Sequence, residues 1–118
     1  MPRAIYFDIG NKAATRERAI VEAIRDKYRA DIEICTNLNL TKFELDSGYI
    51  LYRNLLFLEL ASMRSPNVII CQIAEWCQDK NKPFYRQVER LLNPLRKGKF
   101  QGIDMPKVRI YAPFANYT

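Results

Sequence analysis

Four short apolar runs, separated by stretches with helical periodicity, constrain this chain more than any other feature. Ala4-Ile5-Tyr6-Phe7-Asp8-Ile9 is rich in β-branched and aromatic residues and is closed by Gly10-Asn11, a turn signal. Asp31-Ile32-Glu33-Ile34-Cys35 alternates polar and apolar side chains. Val68-Ile69-Ile70-Cys71 reads as a strand buried on both faces, and Lys107-Val108-Arg109-Ile110-Tyr111 alternates with its basic residues on the outer side. Residues 13–29 are helix formers. Ile20, Ile24 and Tyr28 recur one turn apart, Val21 widens this expected core-facing stripe, and Asn11 or Thr15 is placed to cap the start. Residues 49–63 are apolar nearly all round. They follow Asp46-Ser47-Gly48, read as a helix start, and stop at Ser65-Pro66-Asn67. A short helix is expected over 74–79 and a turn at Asn81-Lys82-Pro83. Next comes an amphipathic helix over 84–96 with Val88, Leu91, Leu92 and Leu95 inward, and then a loop between Gly98 and Gly102.

Strands alternating with helices predict an α/β fold. The expectation is a mostly parallel sheet of about four to five strands with helices on both faces, a Rossmann-like or flavodoxin-like sandwich. With 118 residues the chain reads as one domain spanning 1–118. No repeat, low-complexity tract or linker interrupts it.

The chain has no His, which removes Ser-His-Asp and Cys-His catalysis and the HExxH zinc site. Cys35, Cys71 and Cys77 form no CxxC pair and are odd in number, so reduced thiols, no metal and a cytoplasmic location are expected. Arg3, Asp8 and Lys12 interrupt any apolar leader. Residues 49–63 contain Arg53, Asn54 and Glu59 and fall short of the ~20 apolar residues a membrane span requires, so no membrane partner is expected.

The net charge of +6 is unevenly spread. Residues 80–109 hold nine basic and two acidic side chains, a charge of +7, against −1 for the rest. Arg86, Arg90, Arg96, Lys97 and Lys99, with Phe84, Tyr85 and Phe100 nearby, could form a nucleic-acid-binding face. The plainer reading is a solvated helix face and a protected strand edge. A third reading puts the 49–63 helix in a homo-oligomer interface anchored by Tyr49, Tyr52 and Phe57.

Ligands of parallel sheets bind at the carboxyl ends of the strands. Here those ends carry Asp8, Gly10 and Asn11, then Asn37, then Gln72 and Glu75. Tyr6 and Asp8 share one side of their strand because side chains alternate. Two carboxylates and a phenol suffice for glycosidic chemistry, which uses a carboxylate nucleophile and an acid, and Glu75 is placed to be a nucleophile. Gly10, Asn11, Asn37 and Gln72 are the candidate substrate-binding residues. The ordinary roles are a core aromatic for Tyr6 and a solvated first-turn residue for Glu75. Asp8 is less ordinary, because an acid among apolar residues needs partners.

Met1-Pro2-Arg3-Ala4-Ile5-Tyr6-Phe7, Gly10, Thr15-Arg16 and the helix through Ala23 together resemble the opening of nucleoside 2-deoxyribosyltransferases. Asn67 to Trp76, followed by Lys82-Pro83, is similar to that family's strand and nucleophile-bearing helix, and residues 106–117 to its aromatic C-terminal strand. The resemblance implies a retaining double displacement on a deoxynucleoside, with Glu75 as nucleophile, Tyr6 orienting it and Asp8 as acid. It implies a nucleoside or nucleotide substrate, no cofactor, and a homo-oligomer that shares site residues between subunits. Two features depart from the family pattern. Asn67 stands where the family has Asp, and only Gln72-Ile73-Ala74 precedes Glu75, where the family has an acidic, glycine-containing loop.

Overall fold

The structure is a computed structural model that describes residues 3–70, 82–97, 99–100 and 103–113. The chain divides into two compact units, Met1–Leu51 and Tyr52–Thr118. Among the described residues, the first unit holds β1 (Ala4–Phe7), α1 (Ala14–Tyr28) and β2 (Ile32–Cys35). The second holds α2 (Arg53–Arg64), β3 (Asn67–Ile69), α3 (Lys82–Leu95), β4 (Lys99–Phe100), β5 (Ile103–Asp104) and β6 (Arg109–Tyr111). The α/β character expected from sequence is therefore present. The expected short helix over 74–79 and the glycines at 98 and 102 lie outside the described residues.

In the first unit β1 and β2 pair in parallel, with Ala4 opposite Ile32 and Phe7 opposite Cys35. Backbone bonds extend the ladder at both ends, from Ala4 N to Asp31 O (3.0 Å) and from Asp8 N to Cys35 O (2.9 Å). α1 starts at Ala13 with no side-chain cap, so neither Asn11 nor Thr15 plays the capping role expected of it. Instead the Asn11 carbonyl accepts from Ala14 N at 3.0 Å. The helix ends where Arg29 turns left-handed (φ 50°).

The apolar stripe of α1 does not face inward as expected. Ile20, Ile24 and Tyr28 are 52 %, 44 % and 65 % exposed. The less exposed side carries Ala14, Arg18, Val21, Glu22 and Arg25. The reason is electrostatic: Asp8, after the end of β1, pairs with Arg18, which turns the Arg18 side of the helix inward.

Residues 46–48 form a turn rather than a helix start. Gly48, at φ 86°, donates its N–H to Leu45 O (2.8 Å), and Leu45 N donates to Tyr49 O (2.9 Å). Glu44 then bridges Ile50 in antiparallel fashion. α2 begins four residues later than the apolar pattern suggests because Tyr52 takes a left-handed conformation (φ 64°) at its N-cap. Tyr49 and Tyr52 are therefore exposed and precede the helix.

In the second unit β3 and β6 pair in parallel, with Val68 opposite Ile110. Leu58, Val68, Tyr85, Val88, Val108, Ile110 and Ala112 form one buried cluster, flanked by Leu55, Ala61, Ile70, Phe84 and Leu92. α3 starts with Lys82-Pro83, where the sequence suggested a turn; proline suits the first turn of a helix because its missing N–H has no partner there in any case. Of the apolar face expected for α3, Val88 is buried and Leu92 half-buried, whereas Leu91 and Leu95 are more than half exposed.

β6 binds β3 along one edge only. Arg109 N donates to Pro66 O (2.7 Å), and Ile70 N donates to Tyr111 O (2.9 Å). The alternate peptides, Val108 and Ile110, point to the other edge, where α3 side chains take the place of a strand. Asn93 Nδ2 donates to Val108 O (3.2 Å), and Asn93 Oδ1 accepts from Val108 N (2.7 Å). One helical turn earlier, Glu89 Oε1 accepts from Ile110 N (2.8 Å) and Arg86 donates to Ile110 O. Arg86 also pairs with Glu89 at 2.7 Å, which neutralises the buried carboxylate. This edge is closed to further strands. Among the described residues the parallel strands thus make two separate two-stranded sheets, with β4 and β5 an antiparallel pair, and no wider sheet of four to five strands.

Glu89→Ala is expected to lower unfolding free energy by about 3 kcal/mol, because it strands both Arg86 and the Ile110 N–H. Asn93→Ala should cost ~1–3 kcal/mol, while Arg90→Ala, on the exposed face, should stay within about 0.5 kcal/mol. Urea unfolding midpoints of the three variants check this; equal midpoints for Glu89→Ala and Arg90→Ala would refute the edge-covering role.

Candidate active site

The carboxyl end of β1 supplies the site. Tyr6 and Asp8, two residues apart, both reach α1, as their shared side of the strand predicts. Tyr6 Oη donates to Glu17 Oε2 at 2.9 Å. Asp8 Oδ2 accepts from Arg18 Nη1 at 3.4 Å, and Arg18 Nε donates to Glu22 Oε1 at 3.0 Å. The Asp8 side chain is only 17 % exposed, and Arg18 provides the partner that such an acid requires. The Glu22 bond is the largest reason that the Arg18 guanidinium is held above its ordinary value.

The loop after β1 is held from several sides. Asp8 Oδ1 accepts from Gly10 N at 3.1 Å, so one carboxylate oxygen fixes the turn while the other meets Arg18. Gly10 sits at φ 76°, and a Cβ there would come within 3.0 Å of the Asn39 amide, so both conformation and space call for glycine. Leu40 N donates to Ile9 O at 2.8 Å. Lys12 binds Glu44 Oε1 through its backbone N–H (3.0 Å) and Asp46 O through Nζ (3.1 Å). Asn11 is half-buried in this loop, and Asn37 is exposed just after β2. Gln72 and Glu75 lie outside the described residues.

Burial, first, and then the Glu17 bond push the Tyr6 phenol well above the usual tyrosine range. Tyr6 therefore acts as a lasting proton donor in a hydrogen bond rather than as a base. Glu17 was not singled out from sequence. The available signal was an acidic residue in the first turn of the helix that follows a strand bearing an inward phenol. Arg18 was missed as well, although the requirement that Asp8 have a partner pointed to a nearby cation.

In the second unit, the basic residues singled out from sequence divide into two groups. Arg86 binds Glu89 and Ile110 O, and Arg96 donates to Pro106 O (2.7 Å) and Ser62 O (3.1 Å). These two guanidinium groups tie the fold together. Arg90 and Lys97 are exposed, and Lys99 lies in β4. Among the described residues no cluster of three His, Cys, Asp or Glu side chains is suited to hold a metal ion, and no helix is long and apolar enough to cross a membrane.

No family model, no curated protein and no solved structure matches the chain.

Because the folded Tyr6 phenol titrates above the unfolded value of about 10, its contribution to stability is complete below that pH and is lost as pH rises further. Tyr6→Phe should therefore destabilise the protein at neutral pH and lose its effect on the alkaline side. Chemical unfolding of both proteins between neutral and strongly alkaline pH tests this; a pH-independent difference counts against a shifted phenol.

Proposed function

We propose that this protein handles a nucleoside or nucleotide and acts on its N-glycosidic bond, as a transferase or hydrolase with a Glu nucleophile and retention at the anomeric carbon. The supporting observation is a phenol and a carboxylate hydrogen-bonded to each other at the carboxyl end of a parallel strand, with a second carboxylate beside them. Retaining glycosidic chemistry uses this set of groups: one carboxylate attacks, a neighbouring group orients it, and an acid assists departure. The resemblance to nucleoside 2-deoxyribosyltransferases adds the substrate class and assigns nucleophilic attack to Glu75, orientation to Tyr6 and proton donation to Asp8.

In this reading the sugar lies over the β1–α1 loop. Gly10 keeps the backbone low enough for close approach, and Asn11 and Asn37 offer amides to sugar hydroxyls. The reaction needs neither metal nor organic cofactor, because a carboxylate nucleophile and a proton donor are its complete chemical requirement. The protein works as a homo-oligomer, as the resemblance implies, and in the cytoplasm, as its odd number of cysteines suggests.

The test is chromatography of mixed deoxynucleosides and free bases incubated with the protein. Base exchange or base release by the wild type, reduced about a hundredfold in Tyr6→Phe, is the expected result. A complete lack of turnover across the panel would refute the reading. Salt-dependent binding of nucleic acid under the same conditions would then favour the exposed Arg90 and Lys97 as a phosphate-contacting surface.

A further inference from the structure

We infer that Glu17 is the nucleophilic carboxylate, the role that the resemblance gives to Glu75; this rests on the N-glycosidic reading above. A carboxylate nucleophile works best with one oxygen anchored and the other free. Glu17 meets this description. Its Oε2 accepts the Tyr6 hydroxyl at 2.9 Å, and its Oε1 has no hydrogen-bond partner among the described residues. The side chain is exposed, so a sugar can reach it. The remaining acids of this unit's site are otherwise engaged. Asp8 is held through both oxygens, by Gly10 N and Arg18, and Glu22 is paired with Arg18. Tyr6 has a single hydroxyl proton, and it is directed at Glu17. The orienting bond that the mechanism requires is therefore already made, to a carboxylate eleven residues along the chain.

Position in the fold supports the same assignment. Glu17 lies in the first turn of α1, where the positive end of the helix dipole favours an ionised carboxylate. This turn directly follows the loop at the carboxyl end of β1, the end at which ligands of parallel strands bind. In the first step Glu17 Oε1 bonds to the anomeric carbon of a deoxynucleoside while the carbon–nitrogen bond breaks. The bond pair leaves with the base, which takes up a proton from solvent, since Asp8 is held as a carboxylate by Gly10 N and Arg18. In the second step a free base or water attacks the same carbon, expels Glu17 as carboxylate and releases a proton to solvent.

The experiment uses the wild-type chain and a 2-deoxy-2-fluoro nucleoside, whose fluorine slows breakdown of the sugar ester. Intact mass reports labelling, and peptide fragmentation locates it. Parallel turnover assays compare Glu17→Gln, which retains an acceptor for Tyr6, with Asp26→Asn, an exposed acid of the same helix. The inference expects one sugar on Glu17, and a loss on the order of a thousandfold or more in Glu17→Gln with Asp26→Asn close to wild type. A sugar located on Glu75 overturns this assignment and leaves the N-glycosidic reading intact. Absence of both label and turnover in the wild type overturns the N-glycosidic reading itself, and the assignment with it.

Discussion

A parallel ladder only two strands wide leaves half of each strand's peptide groups pointing away from its partner, and the architecture of the second unit follows from how those groups are satisfied. An unpaired buried N–H costs about as much as a lost hydrogen bond. β6 meets this constraint without another strand. Asn93 binds both polar groups of Val108, and Glu89 with Arg86 binds both polar groups of Ile110. These α3 residues lie three and four apart, on one helix face. The adjoining face of α3 carries Val88 into the apolar cluster that contains Ile110 and Tyr85. Polar and apolar contacts therefore fix α3 against β6 in one register, because sliding the helix by a turn would strand a charge as well as misplace the core.

The first unit is organised by charge. Its strand pair is extended by backbone bonds at each end, but α1 is oriented by Tyr6 and Asp8. Placing Arg18 against Asp8 leaves Ile20, Ile24 and Tyr28 exposed, which is the less favourable arrangement for a simple amphipathic helix. The alternative would leave a mostly buried carboxylate without a cation, and an uncompensated charge costs more than the partial exposure of three apolar side chains. The consequence bears on function. The same pairing that turns the helix also brings a protonated phenol, an exposed carboxylate and an ion-paired carboxylate to the end of one strand.

Much of the local structure was legible in the residues. The runs at Ile5-Tyr6-Phe7, Ile32 to Cys35, Val68-Ile69 and Arg109 to Tyr111 are strands, and the helical stretches fall between them. Alternation correctly put Val108 and Ile110 inside and Lys107 and Arg109 outside. What pattern could not supply was backbone exceptions and long-range partners. The α2 start depends on a left-handed tyrosine, an unfavourable conformation for a bulky residue that propensity does not anticipate. Arg86 and Arg96 read as a solvated basic stripe, because their carbonyl partners at Ile110, Pro106 and Ser62 lie 10 to 34 residues away. Glu17 was passed over because a first-turn glutamate is common at helix starts whether or not a phenol faces it.

By itself the sequence determined where β1, β2, β3 and β6 and the bodies of α1, α2 and α3 fall, because apolar periodicity and turn residues act over a few positions at a time. It also determined that Tyr6 and Asp8 share a side, since strand geometry allows nothing else. Only the tertiary structure decided which face of α1 turns inward, which carboxylate receives the Tyr6 proton, and which arginines are tied up within the fold. Those outcomes depend on the cost of burying polar groups without partners, and that cost is defined only once distant segments have been brought together.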